Sequence, residues 1–266
     1  MRISQWCFNL CVLLSTMLAA GCSSDEAKVA QLTEELAEAE QQIADARDRE
    51  ASRKAAAEEA VARIERLGGT VERDEEDRVI GVELDGKNDL VVRALAKLPH
   101  VRRVLLDGNF DDKCLNSLAL TPRVEQLHVK SGLFTDDGLK RLAEVSTLRS
   151  VHFEVGQFTD AGLAGLSELT ELRSVTLPGT FGDAAMAHLQ DLENLTTIGL
   201  TLAPTEEFLS DFQPQPAWKR MTLRGSFTVD QLSAFRGLTS LQIAGTYSSE
   251  QVQQLKVALP DCAIWF

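Results

Sequence analysis

Two histidines, His128 and His152, are the side chains whose type and spacing best suit chemistry. They are 24 residues apart, and each stands between apolar residues, in Leu127-His128-Val129 and Val151-His152-Phe153. A neutral imidazole binds metal ions, and its charge changes near neutral pH. As neighbours, the two could form part of a metal site or a pH-sensitive contact, but two histidines without a firm third ligand make a poor metal site. The simpler interpretation is two exposed histidines on a polar face, and we predict no metal site.

Other reactive motifs are missing from the sequence. The chain has no glycine-rich phosphate loop, no nucleophile elbow and no paired-cysteine metal pattern. Cys114 and Cys262 lie about seven repeats apart, whereas a disulfide needs Cα atoms within about 7 Å. We therefore predict two unpaired, largely buried thiols. We also predict no catalytic residue, no cofactor and no enzymatic activity.

The charge of the chain restricts its partners. Its 266 residues include 40 acidic and 27 basic side chains, which gives a formal net charge of -13. Nucleic acid recognition requires a basic surface, so we expect no nucleic acid partner. Adsorption on anionic lipid is disfavoured for the same reason. A membrane location would therefore depend on a lipid anchor rather than on charge.

A pair of hydrophobic residues recurs every 20 to 24 positions through the last two thirds of the chain. Self-similarity at this period is typical of solenoid proteins, in which each repeat contacts its neighbours and the stack presents an extended binding surface. The nine pairs are Val82/Leu84, Val104/Leu106, Leu127/Val129, Val151/Phe153, Val175/Leu177, Ile198/Leu200, Met221/Leu223, Leu241/Ile243 and Ile264/Phe266.

One repeat, residues 172–195, illustrates the unit. Its first six residues alternate apolar and polar side chains, which predicts a half-buried strand. Pro178 and Gly179 end the strand, and Asp183 is placed to cap a helix. Stacked units of this kind predict an α/β solenoid with parallel strands on the concave face and helices on the convex face. Glycines at 108, 132, 156, 179, 225 and 245 would let the backbone leave the sheet sharply.

Two near-identical helix entries carry a resemblance to a known family. Thr135-Asp136-Asp137-Gly138-Leu139 and Thr159-Asp160-Ala161-Gly162-Leu163 resemble the V-T-D-x-G-L entry of bacterial leucine-rich repeat proteins. The resemblance covers residues 79–266 and implies the solenoid described above. The asparagine or cysteine ladder of that family is missing. The unit at 204–217 is irregular, and because proline cannot donate the helical bond, Gln213-Pro214-Gln215-Pro216 predicts a loop there.

The first residues have the features of an export signal. A basic start at Arg2 precedes a mostly apolar run from Trp6 to Ala20 that is too short to span a bilayer comfortably. Cys22 directly follows Gly21, so the segment resembles a bacterial lipoprotein signal, which implies cleavage before Cys22 and lipid on its sulfur. By the same resemblance, Ser23 implies sorting to the outer membrane. A plain cleaved signal is the alternative.

A helical segment follows the predicted anchor. Residues 25–67 contain no proline, are rich in alanine, glutamate and arginine, and end before Gly68-Gly69. Three clean heptads predict a coiled coil and therefore self-association, and Glu50 and Arg53 then interrupt the apolar seam. The heptad a positions are 29, 36, 43, 50, 57 and 64, and the d positions are 32, 39, 46, 53, 60 and 67.

Three interpretations of this segment remain open. It could be one stalk of about 60 Å, at about 1.5 Å per residue. It could be a coiled coil to about Asp48 followed by a second helix, from about Arg53, that caps the first repeat, and we slightly favour this version. It could also be a lone solvated helix. The predicted organisation is thus a signal at 1–21, an anchor and helical stalk at 22–69, and the repeat domain at 70–266.

The outward-facing strand residues are the predicted binding surface. They form three rows: Arg103, Gln126, Ser150, Ser174, Thr197 and Arg220; then Glu83, His128, His152, Thr176, Thr222 and Gln242; then Asp85, Asp107, Lys130, Glu154, Thr201 and Arg224. Trp218, Trp265 and Phe266 are expected in the core or as caps. The predicted partner-binding residues are Arg103, Asp107, His128, Lys130, His152, Glu154, Thr176, Arg220, Thr222 and Arg224.

Together these features predict an exported, membrane-anchored lipoprotein of the cell envelope, held by lipid on Cys22. Its solenoid would bind a protein or envelope component. The alternative is a structural spacer or oligomeric tether that acts through its coiled coil.

Overall fold

The computed structural model describes residues 26–86 and 89–266. The predicted signal at 1–21 and the predicted lipidation site Cys22 lie outside the described residues. The chain divides into two compact units between Glu58 and Glu59.

The first described element is one continuous helix, α1, from Glu26 to Arg66. Its 41 residues correspond to about 61 Å at about 1.5 Å per residue. The break that we favoured between Asp48 and Arg53 is absent, because Glu50 and Arg53 interrupt only the apolar seam and are themselves good helix formers. None of the described helices is both long enough and apolar enough to cross a lipid bilayer.

The last two turns of α1 belong to the second unit and bury one face there. Ala60, Val61 and Ile64 are at most 7 % exposed, and Glu59 forms an ion pair with Lys97. Gly68, with a φ of 91°, ends the helix, and the amide of Gly69 donates to the Ile64 carbonyl. The burial of this segment fits the predicted capping of the first repeat.

Within the described residues, ten strands form a single sheet in sequence order. The nine predicted strands are all present and pair in parallel, whereas an additional strand at the start, β1, pairs antiparallel with β2. The strands are β1 Thr70–Arg73, β2 Val79–Gly86, β3 Arg103–Gly108, β4 Gln126–Val129, β5 Ser150–Phe153, β6 Ser174–Phe181, β7 Thr197–Leu202, β8 Arg220–Arg224, β9 Ser240–Ala244 and β10 Ala263–Trp265.

One short helix follows each of the strands from β2 to β9. The helices are α2 Asp89–Ala94, extended by a 3₁₀ turn at Leu95–Lys97, α3 Asp112–Leu118, α4 Asp136–Leu142, α5 Asp160–Leu166, α6 Asp183–Gln190, α7 Glu206–Asp211, α8 Val229–Ser233 and α9 Ser249–Ala258. The predicted α/β solenoid is therefore confirmed. Asp183 does not cap α6, since Gly182 occupies the N-cap and Asp183 is the first helical residue.

The hydrophobic pairs of the first eight repeats form the core between the sheet and the helices. The last pair differs, because β10 has a neighbouring strand on one side only. Trp265 and Phe266 are 64 % and 52 % exposed, so neither lies in the core, and the Phe266 ring lies against Tyr247 with ring centroids 5.4 Å apart. Trp218, by contrast, is buried as predicted, beside Phe212.

A column of buried phenylalanines lies where the chain turns out of the sheet. Its members stand two residues after a glycine with positive φ, and they are Phe110, Phe134, Phe158, Phe181 and Phe227. A Cβ at Gly132 or Gly156 would collide with the ring that follows it. These glycines therefore provide both the left-handed backbone and the space for the ring. The column fills the region where the sequence already lacked the asparagine or cysteine ladder of the family it resembles.

The irregular repeat closes as predicted. Helix α7 ends at Asp211, and residues 213–217 have no helical structure. The prolines at 214 and 216 remove the backbone donors that a longer helix would need.

Candidate functional site

The open face of the sheet is the side formed by the alternate, partly exposed strand residues. Each central strand places its aliphatic pair inward and the residues between them outward, as the burial of β3 and β5 shows. The first predicted row is in register across six strands, from Arg103 on β3 to Arg220 on β8.

The second row includes a residue that the sequence analysis did not place there. Glu83 pairs with Leu105, which in turn pairs with His128, so a half-buried leucine separates the two predicted members. His128 then pairs with His152, and His152 with Thr176, as predicted.

The third row begins as predicted but its C-terminal part differs. Asp107 pairs with Asp85, and Lys130 and Glu154 follow the last residues of β4 and β5. Thr201, however, pairs with Thr222 rather than with Arg224. The register of β7 against β8 shifts between Thr197 and Thr201, because β7 has two extra residues there. Each later residue of β7 therefore pairs two positions earlier on β8 than an unshifted register would give.

Ion pairs lie across the N-terminal part of the open face. Arg103 pairs with Glu72 of β1, and Lys130 Nζ lies 3.4 Å from Glu83 Oε1. Asp107 accepts a hydrogen bond of 2.7 Å from the Ser131 hydroxyl. These contacts fix the side chains of Arg103, Asp107 and Lys130 against acidic or polar neighbours.

His128 and His152 are in contact. Their ring centroids are 4.4 Å apart with the planes tilted by 55°, and His128 Nε2 lies 2.8 Å from Glu154 Oε1. Burial and the neighbouring His128 lower the pKa of His152, whereas Glu154 acts in the opposite direction. The imidazole of His152 is therefore harder to protonate than a free histidine.

An open groove of ≈ 460 Å³ runs along this part of the sheet. Its lining combines β1 and β2 with the outward residues of β3 to β5, including Glu72, Leu105, His128 and His152. Glu72 and Leu105 were missed by the sequence analysis. The acidic run at 74–77 separates two segments that contain apolar residues, which is a pattern typical of a β-hairpin. Reading it as a hairpin would have placed Glu72 on a strand beside β2.

The C-terminal part of the open face is basic. Arg220, Thr222 and Arg224 alternate on β8, so their side chains share one face. Both arginines are exposed, and among the ion pairs of the described residues none includes either of them. Two guanidinium groups are thus available to an anionic ligand.

The repeats from β2 to β9 each contribute one parallel strand and one short helix to a single continuous stack, and all of them except the β7 repeat turn at a glycine. This is the leucine-rich repeat fold. Neither a protein-family profile nor the sequence of a curated protein matches the chain.

Two solved leucine-rich repeat structures are similar to this chain. An internalin (inlF) from Listeria monocytogenes has 17% sequence identity and a TM-score of 0.48, with 65% of this chain and 50% of that chain covered. A leucine-rich repeat protein from Leptospira interrogans has 11% identity and a TM-score of 0.36, with 65% and 62% covered. The chain thus spans about half of the internalin chain and less than two thirds of the Leptospira chain.

Proposed function

We propose that this leucine-rich repeat chain is a non-enzymatic binding protein that recognises a protein or cell-envelope component on the open face of its sheet. The observation that carries the proposal is the trio on β8, where two exposed arginines flank Thr222. Guanidinium groups donate paired hydrogen bonds to carboxylates and phosphates, so the chemistry favours an acidic group on the partner.

The rigid backbone of the sheet supports this function. Parallel pairing fixes Thr222 between Thr201 and Gln242, so the two arginines flank a row of polar side chains at set positions. Side chains presented in this way lose less freedom on binding than side chains on a mobile loop. The face can therefore select a partner by the positions of its charges.

Photo-crosslinking tests the binding proposal. A photoreactive amino acid at Thr222 is expected to give a specific crosslinked product in native membranes, whereas the same residue at Ala187, which is exposed on α6, gives none. Arg220→Glu and Arg224→Glu should abolish the product, and Lys256→Glu on α9 should leave it unchanged. Equal products from Thr222 and Ala187 would contradict an open-face binding site.

We further propose that the chain is exported and anchored in the cell envelope by lipid on Cys22, in the outer membrane where the host has one. The support is the basic start, the short apolar run and the position of Cys22 directly after Gly21. Several acyl chains at about 0.8 kcal/mol per buried CH₂ would give durable attachment to a chain whose net charge is unsuited to an anionic surface.

Metabolic labelling with a fatty acid tests the anchor. The wild type should carry the label and remain with membranes. Cys22→Ser should be unlabelled, and the control Cys262→Ser should behave like the wild type. Mass spectrometry that finds an unmodified Cys22 in the exported chain would disprove the anchor.

A structural role as a spacer or tether is the second candidate. Leu32, Leu36 and Ile43 are seam positions of α1, and each remains half-exposed. Such a seam suits pairing with a second copy of the helix. Sedimentation should show an oligomer that Leu36→Ser with Ile43→Ser dissociates, whereas Gln42→Ser does not. Deleting residues 25–48 then separates the two roles, since a binding protein keeps its ligand and a spacer loses its role.

A further inference from the structure

Three metal-ligating side chains converge on the open face. His128 lies on β4 and His152 at the matching position of β5, and Glu154 immediately follows β5. One donor atom from each of the three lies within 4.8 Å of the others. The sequence analysis identified only two ligands here. It placed Glu154 in a separate row, and the sequence does not show that the Glu154 side chain turns towards His128.

The sheet holds these donors in place. Neighbouring parallel strands keep His128 and His152 opposite each other, and the amide of Glu154 donates to the carbonyl of Val129. The Lys130 ammonium, on the residue that follows β4, pairs with Glu83. The Glu154 carboxylate instead contacts His128.

We propose that His128, His152 and Glu154 form a binding site for a divalent transition-metal ion, zinc in particular. Zinc binds imidazole nitrogen at about 2.0–2.1 Å and carboxylate oxygen at about 2.0–2.2 Å in a tetrahedron, which places the donors roughly 3.4 Å apart. The present spacing reaches that arrangement through small side-chain rotations, and these are available because none of the three side chains is fully buried.

The donor set determines the class of ion. Imidazole and carboxylate together suit Zn²⁺, Cu²⁺ and Ni²⁺, whereas Mg²⁺ and Ca²⁺ prefer oxygen ligands throughout. Two histidines and one carboxylate leave the fourth position of a zinc ion to water or to a group from another molecule. This site is distinct from the arginine pair on β8, so it does not depend on the proposed function.

Calorimetry and histidine NMR test the site on the full chain, purified without an affinity tag and titrated with a zinc salt alone. We expect one zinc ion per chain and changes in the ring signals of His128 and His152. The ring signals of His100 and His188 should stay unchanged. Calcium and magnesium salts should produce neither effect.

Substitutions assign the ligands. His128→Ala, His152→Ala and Glu154→Gln should each weaken zinc binding by more than about 10–100-fold, the loss seen when even a hydrogen-bonding partner of a ligand is removed. His188→Ala on α6 and Glu144→Gln are the matched controls and should bind like the wild type. Circular dichroism and the urea midpoint confirm that the variants are folded.

Two results would overturn the proposal. One is a folded wild-type chain that shows neither heat of zinc binding nor a change in the signals of His128 and His152. The other is zinc affinity that is the same in folded His152→Ala as in the wild type, since the metal would then be held elsewhere.

Discussion

Asp136 accepts two hydrogen bonds from Thr159, the residue that caps the helix of the next repeat. The Thr159 amide nitrogen lies 2.8 Å from Oδ1 and the Thr159 hydroxyl lies 2.6 Å from Oδ2. The same hydroxyl oxygen accepts from the amide of Ala161 and so caps α5. Asp136 thus links the start of its own helix to the helix of the next repeat. The same two hydrogen bonds, from amide and from hydroxyl, join Thr135 to Asp112 and Thr205 to Asp183. At the remaining step, Gly182 has no hydroxyl and only its amide donates to Asp160.

This aspartate ladder explains the repeated helix entry. The threonine caps its helix and donates to the preceding repeat, and the aspartate accepts from the following one. The glycine leaves space for the preceding aspartate, because a Cβ at Gly162 would collide with Oδ1 of Asp136. The leucine is buried, as Leu139 and Leu163 show. The motif is therefore a stacking device as well as a helix start.

Asp136→Ala should lower the free energy of unfolding by about 1–3 kcal/mol, since it removes an ionised acceptor from two donors of Thr159. Urea denaturation measures the change. Asp137→Ala is the matched control, because Asp137 is an acidic residue in the same helical turn whose side chain is 73% exposed. Equal midpoints for the two variants would show that the ladder adds nothing to stability.

Gly162→Ala should destabilise the chain by about 1–3 kcal/mol because of overpacking. This sign is opposite to the usual gain of about 0.5–1 kcal/mol when alanine replaces glycine inside a helix. When Asp136 is also replaced by alanine, Gly162→Ala should lower the free energy of unfolding by less, since the colliding carboxylate is gone. A double-mutant cycle from urea midpoints gives the coupling, and a stabilised Gly162→Ala would refute the steric explanation.

Phe134→Ala should lower the free energy of unfolding by about 3–5 kcal/mol, because it empties a fully enclosed site of the phenylalanine column. The Phe134 ring is 1% exposed and meets Phe153 edge-on at 5.2 Å. The adjacent Leu133→Ala serves as control, since Leu133 is 76% exposed and its loss should change stability by no more than about 0.5 kcal/mol. Thermal or urea unfolding of the pair checks both values.

His152 should titrate in the folded chain with a pKa below the ordinary histidine value of about 6.5, because burial and the neighbouring His128 disfavour its charged form. NMR of the imidazole signals in the presence of a chelator measures it. His128→Ala should raise this pKa and Glu154→Gln should lower it further. His188 on α6 serves as the reference within the same spectra.

The same shift has a defined effect on stability. The folded chain binds the His152 proton less readily than the unfolded chain does. The contribution of His152 to the free energy of unfolding is therefore fully present above about pH 6.5, and it is lost as the pH falls through that value towards the folded pKa. A His152 that titrates at or above about 6.5 would contradict the effect of its partial burial and of its contact with His128.

Much of the solenoid could be predicted because its information is local and repeated. The pairs Val151/Phe153 and Val175/Leu177 differ in residue type but keep one spacing, and that spacing suffices to place β5 and β6 side by side. The prolines at 214 and 216 likewise predict the loop, since the missing donor is a property of the residue itself.

Other features could not be read in this way. The continuity of α1 through Glu50 and Arg53 depends on backbone hydrogen bonds that a heptad pattern does not report. The pairing of Thr201 with Thr222 depends on a register shift in β7, and no residue type signals that shift. The antiparallel strand β1 brings Glu72 to Arg103, a contact between repeats that the repeat pattern does not contain.

By itself, the sequence determined the repeat, the parallel stack and the first outward row, because side-chain period and spacing dictate which residues face the core. Only the tertiary structure decided where the outward side chains point. Rotation about their single bonds turns Glu154 to His128, Lys130 to Glu83 and Arg103 to Glu72. Such choices depend on charges from other strands, so no single repeat contains them.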